Sequence, residues 1–271
     1  MRLDPEAAAA GFRLATHDVL PSTNAAALHY ALEHGKDGQP LWIVAREQNA
    51  GRGRRGNAWI SPPGNLYATL LLIDPAPPRR APELSFVAAL TVYDAIVACA
   101  PILTGHLALK WPNDVLCHGK KLAGILLEGR MLGEKIAVAI GIGVNCRHHP
   151  PHMTYPATDL ATVGAQVGAG QLFTRLSGTM LQRLGQWRSG TGFSAVRDDW
   201  LARAAGIGET MRVRLPDREL VGRGEDLDDS GCLLLRLADG SLQTIAAGEV
   251  FPLTSAELGL NQNQMAADGA D

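Results

Sequence analysis

Between two apolar stretches the chain reads Gln48-Asn49-Ala50-Gly51-Arg52-Gly53-Arg54-Arg55-Gly56-Asn57. Three arginines and three glycines fall within Gly51–Gly56. Glycine lets the backbone approach a ligand closely and adopt positive φ. Arginine presents a planar fork of donors that matches carboxylate and phosphate oxygens. Together they predict a loop that closes over an anion. A solvated basic turn or a single-stranded-RNA-binding Arg-Gly segment would share the composition. Arg-Gly segments lie in low-complexity tracts, however, whereas this loop is single and flanked by strands. It is not a Walker P-loop, because the Gly-Lys-Ser/Thr ending is absent.

Working outward, Leu41–Ala45 and Leu66–Ile73 are the flanking strands. Upstream, a short strand is expected near Phe12–Leu14. Ser22-Thr23-Asn24 then precede an Ala/Leu-rich stretch, Ala25–His34, ended by Gly35. Ser, Thr and Asn side chains accept the orphan N–H groups of a first helical turn, so a helix starts there. Downstream, the Pro-rich Asp74–Pro82 is a connector, and Leu84, Val87, Ala88, Val92, Ala95 and Ile96 give Glu83–Ala100 helical spacing. Leu107–Trp111, Asp114–Cys117, Leu122–Glu128 and Lys135–Val144 read as successive strands, with a tight turn at His118–Lys120. Helices are expected over Gly170–Arg188 and Phe193–Ala204.

From Glu209 the texture changes. Met211, Val213 and Leu215 alternate, as do Leu233, Leu235 and Leu237, with turn residues at Asp229–Gly231 and Ala238–Gly240. This predicts a small β-barrel of about five strands. The reading is an α+β chain: a mixed sheet backed by helices over 1–205, a small barrel over 206–256, and a polar, disordered tail over 257–271.

Two further constellations carry chemistry. In Lys110-Trp111-Pro112-Asn113-Asp114, Pro112 restricts Trp111 to extended geometry, and alternation brings Lys110 near Asp114. In Lys121-Leu122-Ala123-Gly124-Ile125-Leu126-Leu127-Glu128, Lys121 opens an apolar strand and can project a cation into a site. Gly141-Ile142-Gly143-Val144-Asn145 ends a strand with two glycines, which marks close approach of a ligand or another backbone. A surface ion pair and a polar strand edge are the plainer readings of the two lysines.

Bulk properties exclude several classes. The net charge of −2 offers no global basic field for nucleic acid, and 46% hydrophobic with 19% charged residues is ordinary globular composition. Cys99, Cys117, Cys146 and Cys232 are far apart with no CxxC pair, which fits reduced thiols in a cytoplasmic protein. The N-terminus lacks the basic flank and apolar core of a signal peptide. No run approaches a membrane span of roughly 18 apolar residues. His148-His149-Pro150-Pro151-His152 has no acidic partner close in sequence and reads as an exposed loop rather than a metal site.

In order, Ser-Thr-Asn, Gln-x-x-Gly-Arg-Gly-Arg-Arg-Gly, Lys-Trp-Pro-Asn-Asp, Lys-Leu-Ala-Gly-Ile-Leu-x-Glu and Gly-Ile-Gly-Val-Asn resemble the biotin–protein ligases over about residues 15–200. The C-terminal barrel, ending in Gly248-Glu249-Val250, resembles that family's SH3-like domain. The resemblance implies a class II synthetase-like catalytic domain. It implies that biotin and MgATP give biotinyl-5′-AMP, and that a lysine of a carboxylase's biotin carboxyl carrier protein then takes the biotin. It implies that Ser22, Thr23, Asn24, Gln48, Arg52, Gly53, Arg54, Lys121 and Gly124 bind biotin. Arg52, Arg54, Arg55, Lys110, Trp111, Asn113, Lys121 and Asn145 would bind ATP or the adenylate. Lys121, Arg54 and Asp114 would be catalytic, with Asp114 also a candidate Mg2+ contact. Many relatives carry a basic residue where this chain has Asn57, so the resemblance does not carry an extra phosphate contact over to that position. Only 21 residues precede Ser22, so a DNA-binding repressor domain is not expected. A lipoate-type ligase and a non-catalytic biotin sensor are the competing readings.

Overall fold

The computed structural model describes residues 1–35, 38–151 and 155–252. The chain forms two compact units, Met1–Ala204 and Ala205–Asp271. The predicted tail, the last residues of the predicted barrel, and His152 lie outside the described residues.

The first unit opens with the short helix α1 (Pro5–Ala9), capped by the Asp4 carboxylate, which accepts the Glu6 N–H at 2.9 Å. Strand β1 (Arg13–Leu20) leads into α2 (Thr23–His34), whose N-cap is Ser22. The helix thus begins two residues earlier than the Ala/Leu run alone suggests. Strands β2 (Leu41–Gln48) and β3 (Leu66–Ile73) flank the Arg/Gly loop. The Pro-rich connector is not wholly irregular, since Pro78–Glu83 coils as a 3-10 helix that runs directly into α3 (Leu84–Cys99). Strands β4 (Leu107–Lys110), β5 (Asp114–Cys117), β6 (Lys120–Leu132) and β7 (Lys135–Val144) follow. Helices α4 (Ala169–Trp187) and α5 (Phe193–Leu201) precede the two-residue strand β8 (Ala204–Ala205).

The sheet runs β1-β2-β3-β7-β6-β5-β4-β8. Strands β1 and β2 are parallel, with α2 as the connection between them, and the pairings from β2 to β4 are antiparallel. The β5–β6 turn places His118 at φ 49° and Gly119 at φ 72°. Two successive left-handed residues match the right-handed strand twist, which makes the hairpin tight.

One face of the sheet carries α3 and α4. Helix α3 is apolar on all sides because it lies inside the unit: Leu84, Val87, Ala88, Leu90, Val92, Ala95 and Ile96 are essentially unexposed. Pro78–Cys99 is, by length and composition, apolar enough to cross a membrane, although charged residues and prolines interrupt its first turns and most of it is buried inside the unit. Its burial shows why a core helix passes the same test. Helix α4 buries Leu172, Phe173, Leu176 and Met180, spaced so as to share one face. Phe173 meets the fully buried Trp42 of β2 edge-on, with centroids 5.5 Å apart. Truncating such an aromatic costs about 3–5 kcal/mol. The other face takes α2, whose Ala27 and Ala31 pack on Leu41, Ile43, Leu71, Ala137 and Ala139.

The second unit is an SH3-like antiparallel sheet in the order β12-β11-β10-β9-β13: β9 (Thr210–Arg214), β10 (Glu219–Leu227), β11 (Leu233–Leu237), β12 (Leu242–Ile245) and β13 (Glu249–Pro252). Met211, Val213, Leu233 and Leu235 are buried while their neighbours are more exposed, as the alternation requires.

Candidate active site

Residues directly opposite one another across a sheet share a face. The registers therefore define a row running from β2 to β4: Ala45, Tyr67, Gly143, Gly124, Asp114, Lys110. The neighbouring row is Ile43, Thr69, Gly141, Leu126. Three glycines in adjoining positions leave a side-chain-free floor on the face that carries the start of α2. From Gly143 to Asp114 this floor spans about 10 Å, two strand spacings.

Other elements fill the space above the glycines. A Cβ at Gly143 would stand 2.6 Å from the Trp59 indole, and one at Gly124 would stand 3.1 Å from the same ring. A Cβ at Gly141 would strike the Asn24 carboxamide. The two glycines of Gly141-Ile142-Gly143 thus do mark close approach, by Asn24 and by Trp59.

At one end of the floor lies a cluster of charge. Asp114 is buried, with Lys121 Nζ 2.6 Å from Oδ1 and Lys110 Nζ 3.5 Å from Oδ2. Lys110 and Asp114 do not meet by alternation along one strand, as expected from the sequence. They are a cross-strand pair joined by the turn Trp111-Pro112-Asn113, whose Trp111–Pro112 peptide is cis. Lys121 reaches the floor because the β5–β6 register shifts: Val115 pairs with Ala123, but Leu116 pairs with Lys121. The extra residue, Leu122, turns Lys121 to the side of Asp114. Its ammonium lies 5.6 Å from the Trp59 ring centroid, and that of Lys110 lies 4.3 Å from the Tyr155 ring. Burial, and then the Asp114 charge, push the Tyr155 phenol above its usual range, so it stays neutral. Its hydroxyl donates to the Gly119 carbonyl at 3.0 Å.

At the other end lies a polar lattice. The Gln48 carboxamide oxygen accepts from the Thr23 N–H at 2.8 Å and from its hydroxyl at 3.1 Å, while its amide donates to Ser61 Oγ at 3.0 Å. The Asn24 amide donates to the Leu126 carbonyl at 3.1 Å and to Glu128 Oε2 at 2.9 Å. Asn24 Oδ1 and the Thr69 hydroxyl are 2.7 Å apart. Ser22, Thr23 and Asn24 are all buried. Asn24 thereby commits both amide hydrogens to protein, so it orients its neighbours.

The Arg/Gly loop bridges the two ends. Arg52 and Ala58 form an isolated antiparallel bridge, and the Gly53 N–H donates to the Asn57 carbonyl at 2.7 Å. Arg54–Gly56 tightens into a 3-10 turn with Arg55 at φ 54°, a left-handed position that costs a non-glycine residue about 1–2 kcal/mol. Arg52 pairs with Glu128 at 3.0 Å, whereas Arg54 donates to Asn113 Oδ1 at 3.4 Å. Gly53 sits between them, and Arg55 is exposed.

The structure thus brings together Ser22, Thr23, Asn24, Gln48, Arg52, Gly53, Arg54, Lys110, Asn113, Asp114, Lys121 and Gly124. Trp111, the first residue of the hairpin turn, is buried. Asn145 is also buried and donates to the Thr158 carbonyl at 3.0 Å; Thr158 in turn donates its N–H to the Lys121 carbonyl. Asn145 therefore braces the strand that holds Lys121. Sequence reasoning assigned no role to Trp59, Glu128, Thr69 or Tyr155. Glu128 was legible as the last residue of the Lys121–Glu128 run, four positions beyond Gly124 and hence on the same face. Nothing local marks the other three.

The four cysteines are free, and burial pushes the Cys146 thiol up to about 12, so it is no nucleophile. His149 finds an acidic partner that is not close in sequence: the chain folds back to place Asp159 Oδ2 at 2.5 Å from Nδ1. Among the described residues no group of three His, Cys, Asp or Glu could hold a metal ion.

A family model described as the Biotin/lipoate A/B protein ligase family matches residues 17–145, and one described as the Biotin protein ligase C terminal domain matches residues 206–251. A biotin–[acetyl-CoA-carboxylase] ligase of Paracoccus denitrificans is 44% identical over 238 residues, which cover 85% of this chain and 96% of that protein. Its counterpart in Mycobacterium tuberculosis is 34% identical, covering 86% of each. A biotin protein ligase from Aquifex aeolicus, solved in complex with biotin and ATP, superposes with a TM-score of 0.72 at 26% identity, covering 90% of this chain and 99% of that one. With floor, loop and paired lysines arranged on this sheet, the chain belongs to the biotin/lipoate A/B protein ligase family.

Proposed function

We propose that the protein is a biotin–protein ligase that condenses biotin with ATP to biotinyl-5′-AMP and pyrophosphate, then passes biotin to a lysine of a biotin carboxyl carrier domain. The observation that carries this reading is the glycine floor under Trp59, ending at Lys121 and Asp114. Biotin's compact fused rings, with their polar ureido group, would lie between the polar lattice and the lysines, and the carboxylate would end beside two ammonium groups.

In the first step a biotin carboxylate oxygen attacks the α-phosphorus, and the bond to pyrophosphate breaks. Negative charge crowds the reacting centre, so fixed cations there favour the transition state. Lys121 holds the carboxylate and α-phosphate oxygens, Asp114 orients Lys121, and Lys110 completes the pair. Arg52, Gly53 and Arg54 belong to the loop over the acid and the adenylate, with Arg55 towards the triphosphate. Thr23 and Gln48 line the polar end with Ser22, Asn24 shapes it, and Gly124 keeps the floor clear. Trp111, Asn113 and Asn145 support the adenylate end. Mg2+ would arrive on the triphosphate and neutralise its charge. Asp114 is the carboxylate at that end of the floor, which suits an ion that keeps phosphates and waters as its other ligands. In the second step the acceptor amine must be neutral to attack the anhydride carbonyl. Asp114 is the candidate to orient it or take its proton, and AMP leaves. An ATP-dependent ligase with a carboxylase acceptor fits a cytoplasmic protein.

The test is transfer of labelled biotin to a carrier domain with and without ATP, with lipoate offered in parallel. ATP-dependent transfer of biotin is expected. A response to lipoate alone would overturn the assignment in favour of the lipoate side of the family. Biotin binding with no transfer would leave a sensing module.

A further inference from the structure

Glu128 lies at a junction that the reaction chemistry does not require. Its Oε2 accepts from Asn24 Nδ2 at 2.9 Å and from Arg52 Nη2 at 3.0 Å. The carboxylate is about one-quarter exposed and the Arg52 side chain about half exposed, at 26% and 47%. One oxygen therefore ties the start of α2 to the base of the Arg/Gly loop. On β6, Glu128 is four residues beyond Gly124, about 13 Å along the strand. Two of the loop's three arginines consequently face different partners. Arg54 reaches Asn113 beside the lysine cluster, whereas Arg52 is neutralised at the Asn24 end.

We infer that Glu128 is a positioning residue acting through Arg52. This Glu128–Arg52 clasp holds the loop down on the acid-binding half of the floor and so sets how long the adenylate is retained. Arg52 serves as a tether whose charge is met by Glu128. The inference deepens the ligase reading and rests on it. A half-exposed ion pair contributes modestly and is weakened by salt, so the clasp can open each turnover.

The experiment loads the full-length protein with labelled biotin and ATP, removes free ligands, and follows loss of biotinyl-adenylate by rapid filtration. The variants are Glu128→Ala, Arg52→Ala, the double variant, and the charge swap Glu128→Arg with Arg52→Glu. Each single variant is expected to speed adenylate loss about five-fold, the scale of one partly exposed pair. The double variant should be no faster than either single, the swap should restore part of the retention, and the melting temperature should change little. Rates that multiply in the double variant, or retention in both singles equal to the parent, would overturn the clasp. Absence of biotin-dependent pyrophosphate release in the parent protein would instead sink the ligase reading. Because the Arg52 side chain is half exposed, Arg52→Ala remains informative even if Glu128→Ala misfolds.

Discussion

Lys121 Nζ stands 2.6 Å from Asp114 Oδ1, in a contact made possible by the bulge at Leu122. The carboxylate is shared with Lys110, so one buried negative charge orients two cations at the end of the glycine floor. Removing one member of such a group leaves the others with uncompensated charge. Lys121→Met is therefore expected to lower biotin-dependent pyrophosphate release by about 100- to 1000-fold, the scale of losing one charge-stabilising donor. Exchange of labelled pyrophosphate into ATP measures it, and retention of more than a tenth of the activity would remove Lys121 from the reacting centre.

Gly143→Ala tests the floor. Its Cβ would meet the Trp59 indole at 2.6 Å, and Trp59 comes from the loop rather than the core. The ring should shift and the floor should narrow. The expected outcome is a KM for biotin raised about ten-fold or more, with a melting temperature near that of the parent; each tenfold corresponds to about 1.4 kcal/mol. A fall in stability with unchanged KM would mean that the glycine serves packing alone.

Arg54→Gly should remove the loop's contact with Asn113 and add backbone freedom. Free biotinyl-AMP should leave the enzyme and label lysines on unrelated proteins. Streptavidin blotting of a bystander protein reads this directly. Unchanged retention of the adenylate would show that loop closure does not depend on Arg54.

Asp159 makes a pH prediction. Burial alone would raise its pKa, but the His149 ring, followed by the Thr162 N–H and hydroxyl, outweighs burial and holds it below the usual carboxylate range. A group whose folded pKa is depressed contributes stability above its unfolded pKa, and that contribution fades as pH falls through the folded value. Asp159→Asn should therefore lower the melting temperature at pH 7, and the difference from the parent should shrink as the pH drops below about 4. A difference that stays constant down to pH 3 would count against an ionised Asp159.

Glu83 is a structural counterpart to these. It is buried, accepts from Trp187 Nε1 at 2.6 Å, and accepts from Arg80 at 2.8 Å. Glu83→Ala orphans the indole N–H and should cost about 1–3 kcal/mol. Denaturant unfolding would measure it, with adenylate formation expected to survive under folding conditions.

Much of this was written locally in the chain. The Ser22 cap, the strand Leu66–Ile73, the strand Lys135–Val144 and the His118-Gly119 turn depend on side chains within a few residues, so their positions could be read from capping, periodicity and turn chemistry. The alternation from Met211 onward likewise announced the second unit. The Gly51–Gly56 loop and the lysines could be named as chemistry because residue type alone sets charge and backbone freedom. What the sequence could not settle was which of these groups face one another. Lys121 and Gly124 are three positions apart and on a regular strand would point to opposite faces. The bulge that puts them together depends on the register with β5. Lys110 and Asp114 meet because a turn reverses the chain, and Asp159 reaches His149 because the chain folds back. Trp59, Thr69 and Glu128 come to the site from three different elements, and the partners each one meets are set by sheet order and register. Local sequence therefore determined the elements and their chemical inventory. Only tertiary packing decided the floor, its lid and the sharing of one buried carboxylate by two lysines.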